Sequence, residues 1–153
     1  MAQIFHEKDS NLEILKDKTI AIIGYGNQGR AQALNLRDSG MEVIIGNRED
    51  KYKDIAKKDG FSTCTIEEAI KLADVVFILI PDEIMKEVFD YSVKNSLKPG
   101  SALVFASGYT IGFKLIDPPG NVDVLLLAPR MIGVGVRENY LNNQGFFSFV
   151  CVE

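Results

Sequence analysis

A single histidine, His6, two cysteines and five prolines are all that this 153-residue chain carries of those types. His6 lies in the N-terminal arm and reads as a surface residue. Cys64 and Cys151 have neither metal-ligand nor redox spacing, and their apolar surroundings predict two buried thiols of a cytosolic protein. No apolar run approaches the roughly 18 residues of a membrane span. The first residues lack the basic and apolar regions of a signal peptide. These absences point to a cytoplasmic protein with no membrane partner. A net charge of −4 with no basic stripe excludes a nucleic-acid surface. Asp and Glu nowhere gather at metal-ligand spacing, so the chain is not expected to bind metal by itself. There is also no internal repeat, low-complexity segment or linker.

What is present is a soluble globular composition, 46 % hydrophobic and 25 % charged, in a length that suits one domain with a real core. Its most informative stretch is Thr19-Ile20-Ala21-Ile22-Ile23-Gly24-Tyr25-Gly26-Asn27-Gln28-Gly29. An apolar run that suits a strand buried on both faces ends in a Gly-x-Gly-x-x-Gly turn. Ala31, Ala33, Leu34 and Leu36 then recur at helical spacing. Strand, glycine turn and helix together place backbone N–H groups and a helix N-terminus where a pyrophosphate can sit. Gly24 would allow the tight turn, Gly26 the approach of the phosphates, and Gly29 the packing of helix on strand.

Strand and helix signals keep alternating downstream. Residues 41–45, 61–64, 74–80, 102–106, 122–128 and 146–152 read as strands, the run at 74–80 most clearly because it is nearly all β-branched. Residues 51–58 read as a helix. Thr65-Ile66-Glu67-Glu68 is a capping box opening another through about Leu72. Pro81-Asp82 starts a further helix, with Ile84, Val88 and Phe89 on one face. This alternation predicts a doubly wound parallel sheet of Rossmann type, a three-layer α/β/α single domain over residues 1–153.

Nucleotide preference depends on the end of the second strand, where Gly46-Asn47-Arg48-Glu49-Asp50-Lys51 stands. Arg48 could pair bidentately with a 2′-phosphate and Lys51 could add charge, which favours NADP. Glu49 and Asp50 would repel that phosphate, which favours NAD. The balance leans to NADP.

Several segments together resemble the N-terminal domain of the ketol-acid reductoisomerase family. They are Gly24-Tyr25-Gly26-Asn27-Gln28-Gly29 with Ala31 to Gly40, Leu79-Ile80-Pro81-Asp82-Glu83, Leu97-Lys98-Pro99-Gly100, Pro118-Pro119, and Val122-Asp123-Val124 with Ala128-Pro129. The resemblance covers nearly the whole chain. It implies an enzyme in which Mg²⁺ drives an alkyl migration in 2-acetolactate or its homologue. NADPH then reduces the product to a 2,3-dihydroxy acid, on the path to the branched-chain amino acids. It also implies nucleotide contacts at Tyr25, Gly26, Asn27, Gln28, Arg48, Asp50, Asp82, Glu83, Ile84, Met85 and Gly133.

The chain departs from the family in places that matter. Ser107, in Phe105-Ala106-Ser107-Gly108, replaces a histidine, and Arg130 replaces a lysine after Ala128-Pro129. Arg30 replaces a further histidine in the glycine loop. Arg130 keeps the positive charge but cannot donate a proton near neutral pH. The family's all-helical domain, with the acidic Mg²⁺ ligands and much of the oxo-acid pocket, has no counterpart among these residues. The chain alone is therefore expected to bind cofactor without completing the reaction, unless a homodimer or that further domain supplies the rest. Two other readings stay open: a diverged short NADP-dependent oxo-acid or imine reductase, and a non-catalytic nucleotide-binding module.

Overall fold

Ile20, Ala21, Ile22 and Ile23 have no solvent exposure at all. They make β1 (Thr19–Ile23), the strand from which the sheet is built outward in both directions. β1 pairs in parallel with β2 (Glu42–Gly46) on one side and β4 (Val75–Ile78) on the other. β3 (Ser62–Cys64), β5 (Ala102–Phe105), β6 (Asp123–Pro129) and β7 (Ser148–Val152) complete seven strands in the order β3-β2-β1-β4-β5-β6-β7. The computed structural model describes residues 3–153.

Strand geometry sends alternate side chains to opposite faces, so each central strand contributes to two cores. Ala21, Ile23, Val76, Ile78, Leu103 and Phe105 line one face. They pack against Ala69 and Ile70 of α3 (Ile66–Leu72), Met85 of α4 (Asp82–Val88), and Phe89 and Val93 of the wider π turn that extends α4. Ile20, Ile22, Ile45, Phe77 and Val104 line the other face, under Ala33 of α1 (Asn27–Asp38) and Ala56 of α2 (Lys51–Lys58). Helices on both faces of a parallel sheet, with the winding direction reversing between β1 and β4, make this the expected doubly wound α/β fold.

Four expectations need correction. β7 runs antiparallel to β6 rather than parallel. The intervening α6 (Gly133–Leu141) packs along α1, with Asn35 Nδ2 donating to the Val136 carbonyl at 3.2 Å. The chain then returns to the end of β6, where the Arg130 N–H donates to the Phe147 carbonyl, and β7 enters from there. Second, all five residues of β7 are exposed at the sheet edge, so Cys151 is an exposed thiol; Cys64 is half-buried. Third, the inner face of α4 carries Met85, 2 % exposed, while Ile84 is 37 % exposed. Starting the helix at Asp82 turns Met85 and Phe89, four apart, onto the sheet. Fourth, β4 ends at Ile78, two residues before the apolar run does. Among the described residues no helix is long and apolar enough to cross a membrane, and His6 is exposed.

Phe89 has no exposure and sits where the π turn meets α3 and the sheet. Phe89→Ala is expected to lower unfolding stability by about 3–5 kcal/mol, the usual loss for a buried phenylalanine truncated to a cavity. Urea denaturation followed by circular dichroism measures it; a loss below about 1 kcal/mol would show that this cluster is not a packed core.

Candidate functional site

The winding reverses between β1 and β4, and the glycine loop lies at the C-terminal edge of the sheet there, where folds of this class have their cleft. The Gly24 N–H donates to the Gly46 carbonyl at 3.0 Å, which continues the β1–β2 ladder into the loop. Gly24 has φ +91°, and a Cβ there would lie 2.8 Å from the Leu79 carbonyl oxygen. Gly29 brings α1 back onto the loop so closely that its Cβ would stand 1.9 Å from the Gly24 carbonyl oxygen. Both positions require glycine. Gly26 is different. Its φ is −76°, ordinary for any residue, and a Cβ there would meet nothing within 4 Å. It caps α1 without a side-chain oxygen, so no side chain of the cap takes up the first N–H groups of the helix.

Around this loop, several of the residues expected in the site use their side chains elsewhere. Tyr25 is 1 % exposed. Its hydroxyl donates to Asp59 Oδ2 at 2.9 Å, and its ring stands edge-on to Phe61 at 5.7 Å. Burial and then the Asp59 hydrogen bond push its phenol far above the usual range. Gln28 Nε2 donates to the Met131 carbonyl at 2.9 Å, in the seam between α1 and α6. Met85 points into the core, where Thr110 Oγ1 donates to its sulfur at 3.2 Å. All three side chains are engaged by other parts of the protein.

Gly133, at the first turn of α6, is a close backbone contact: a Cβ would lie 2.0 Å from the Asn27 carbonyl oxygen. Arg30 grips Asp59 through two bonds, Nε to Oδ2 at 2.7 Å and Nη2 to Oδ1 at 3.1 Å. Arg30 foremost, aided by Tyr25, holds the Asp59 carboxyl below its ordinary range against the effect of burial.

The loop after β2 is tightly bonded. Asn47 is 7 % exposed and uses both ends of its carboxamide. Its Oδ1 accepts from the Tyr25 N–H at 3.2 Å, and its Nδ2 donates to the Arg48 carbonyl and to Asp50 Oδ1, each at 2.9 Å. Asp50 caps α2, its Oδ1 also accepting from the N–H groups of Tyr52 and Lys53, while Oδ2 accepts from Arg48 Nε at 2.9 Å. Burial raises the Asp50 carboxyl, but Arg48 and the two backbone donors outweigh it and bring it below its ordinary value. Glu49 is paired with the buried Lys53. The two carboxylates that stood against a 2′-phosphate are thus both ion-paired, and the Arg48 side chain remains 77 % exposed.

On the other side of the cleft, Asp82 opens α4 with Glu83 and Ile84 exposed beside it. Ser107, just after β5, donates to Asp82 Oδ2 at 3.3 Å and accepts from the Tyr109 N–H at 3.2 Å. Arg130 follows β6 and lays its guanidinium over Phe149 at 5.5 Å. No hydrogen bond or ion pair joins Ser107 to Arg130 among the described residues. Nor does any group of three His, Cys, Asp or Glu side chains there form a metal-binding cluster.

Asn47 and Asp59 had no place in the sequence-based site. An asparagine directly after the second strand and an Asp-Gly at a helix end were the only signals, and the second reads equally as a helix stop.

The family described as acetohydroxy acid isomeroreductase, NADPH-binding domain, matches residues 14–153. The chain is 47 % identical over 152 residues to the ketol-acid reductoisomerase (NADP⁺) of Caldivirga maquilingensis, covering 99 % of this chain and 46 % of that protein. An NADH-preferring ketol-acid reductoisomerase from an uncultured archean superposes with a TM-score of 0.97 at 42 % identity, covering 99 % of this chain and 48 % of that one. The chain thus spans about half the length of these relatives. An imine reductase from a Pseudomonas species shares the fold alone, with a TM-score of 0.61 at 16 % identity.

The Asp59 cluster sets an expectation in acid. A carboxyl lowered in the folded state adds stability above its ordinary range, and that stability is lost as the pH falls through the lowered value. Asp59→Asn is expected to unfold about 1–3 kcal/mol more easily than wild type at neutral pH, the scale of a charged hydrogen bond. The gap should close in acid. A gap independent of pH, in urea titrations of both proteins, would show that the ion pair is not its source.

Proposed function

The chain belongs to the ketol-acid reductoisomerase (acetohydroxy acid isomeroreductase) family through its NADPH-binding domain, and we propose that it holds NADPH across the cleft described above, with the pyrophosphate over Gly26. One observation carries this placement: an uncapped helix N-terminus beside a glycine with ordinary φ and open space where a side chain would be. A glycine kept where neither backbone conformation nor packing demands it suits a ligand that comes close to the main chain. The N–H groups at the start of α1 would then meet the pyrophosphate oxygens.

The adenosine half of the nucleotide suits the loop after β2. Arg48, held at Nε by Asp50, would offer its remaining N–H groups to the 2′-phosphate. Asp50 supports this reading as an α2 cap and partner of Arg48 rather than as an acceptor of ribose hydroxyls. The nicotinamide half suits the ends of β4 and β5, where Asp82, Glu83, Ile84 and Ser107 lie. Gly133 would keep α6 against the loop, and Gly24, Tyr25, Asn27, Gln28 and Gly29 would shape it through their backbones.

Bound NADPH supplies a hydride for a carbonyl carbon. The protein's part on this side is to orient the ring and satisfy polar groups near it. Ser107, bonded to Asp82, can give one hydrogen bond to a carbonyl or an amide there, and its neutral hydroxyl is too weak an acid to complete proton transfer unaided. Arg130 contributes positive charge without a transferable proton. A small oxo-acid substrate, its Mg²⁺ ions and the alkyl migration belong, in this reading, to the whole reductoisomerase, of which these residues form the cofactor-holding half.

Calorimetric titration is expected to show saturable binding of NADPH, and Gly26→Val is expected to abolish it while leaving the circular dichroism spectrum unchanged. Undiminished binding by that folded variant would refute the placement. Arg48→Ala should weaken NADPH by about 1–3 kcal/mol and leave NADH nearly untouched, the difference expected for a charge-assisted bond to the 2′-phosphate. Equal losses for the two nucleotides would assign Arg48 another role.

A further inference from the structure

Asn47 is buried, polar and bonded to three different groups, and those groups belong to two separate loops. Its Oδ1 takes the Tyr25 N–H directly after the last true rung of the β1–β2 ladder, in which the Gly24 N–H meets the Gly46 carbonyl. The carboxamide therefore acts as one more rung, supplied by a side chain. It sets the Gly24-Tyr25-Gly26 backbone so that Tyr25 spends its N–H internally. On the other side its Nδ2 donates to the Arg48 carbonyl and to Asp50 Oδ1. Asp50 in turn holds Arg48 Nε.

A continuous line of hydrogen bonds thus runs from the glycine loop through Asn47 and Asp50 to the guanidinium of Arg48. Burial stiffens the Asn47 end of the line, where a polar atom that lost its partner would have no water to replace it, while the Asp50–Arg48 bond at the other end is exposed. Asparagine suits the position in a way its isosteres do not. Aspartate would set two carboxylates against each other at Asp50, and leucine would leave the Tyr25 N–H and one Asp50 acceptor position unmet.

We infer that Asn47 is a positioning residue that sets both halves of the nucleotide site at once: the pyrophosphate floor directly, and the 2′-phosphate contact through Asp50 and Arg48. This inference rests on the dinucleotide reading above. It identifies as a specificity determinant a residue whose side chain need not touch the ligand, since all its bonds go to the protein.

The test is a double-mutant cycle read with two nucleotides. Asn47→Ala is expected to weaken NADH about five-fold, the loss of one loop-setting hydrogen bond, and NADPH about 25-fold, because Arg48 is released as well. In an Arg48→Ala background the excess should vanish, and Asn47→Ala should weaken NADPH and NADH by the same factor. A merely structural role would lower both affinities equally with Arg48 present. That result, or no loss for either nucleotide in a folded variant, would overturn the inference while leaving the site itself standing. Wild-type protein that binds neither nucleotide would instead overturn the dinucleotide reading. If Asn47→Ala does not fold, Asn47→Ser, judged folded by its thermal melt, is read by the same criteria.

Discussion

Where α1 leaves β1, the Gly24 carbonyl oxygen occupies the space that a Cβ on Gly29 would need, and the Asn27 carbonyl does the same to Gly133. Three stretches of backbone therefore meet without intervening side chains: the end of β1, the start of α1 and the start of α6. Gly24 is in turn pressed against the Leu79 carbonyl at the end of β4. This contact fixes how far α1 sits above the sheet, where α6 can dock, and how wide the cleft is between the ends of β1 and β4. A methyl group at Gly29 or Gly133 would have to move a main chain rather than a rotamer, and no well-packed neighbour could yield that much.

The charges near the cleft are arranged in pairs that leave it open. Asp59 is taken by Arg30 and Tyr25, Glu49 by Lys53, and Asp50 by Arg48 and the cap of α2. Each of these three carboxylates has a cation against it, whereas Asp82 on the opposite side is met by the Ser107 hydroxyl. Tyr25 gives this its depth, since its ring fills the core beside Phe61 while its hydroxyl ties the loop to the end of α2. A residue that stands inside the glycine loop is thus mainly an anchor for it.

Much of this was legible in the sequence, for reasons specific to particular residues. Ile20 to Ile23 and the run from Val75 to Ile78 are apolar on both faces, and only a strand covered on both sides reads that way. The Thr65 capping box marked a helix start through local chemistry alone. α6 was illegible because Gly133-Val134-Gly135-Val136 is poor helix material. Its glycines answer to tertiary contacts, Gly133 to Asn27 and Gly135 to the Met131 side chain. The direction of β7 was hidden for a related reason, since pairing sense is decided by where the chain returns. In the site, the glycine loop was readable as a local pattern. The links from Tyr25 to Asn47 and to Asp59 join residues 22 and 34 positions apart, and a single sequence carries no trace of them.

The contact between Gly133 and Asn27 has an electrostatic side. It places the first turns of α1 and α6 together, while Ser39 and Tyr140 meet at the far ends of the same helices, so the two run parallel. Parallel helices align their macrodipoles, and their positive poles here sit side by side at one rim of the cleft. Like poles repel, and neither first turn contains an acidic residue to soften it. The protein alone bears that repulsion. An anion resting against both poles would relieve it, so a phosphate bound there and the α1–α6 seam would each strengthen the other.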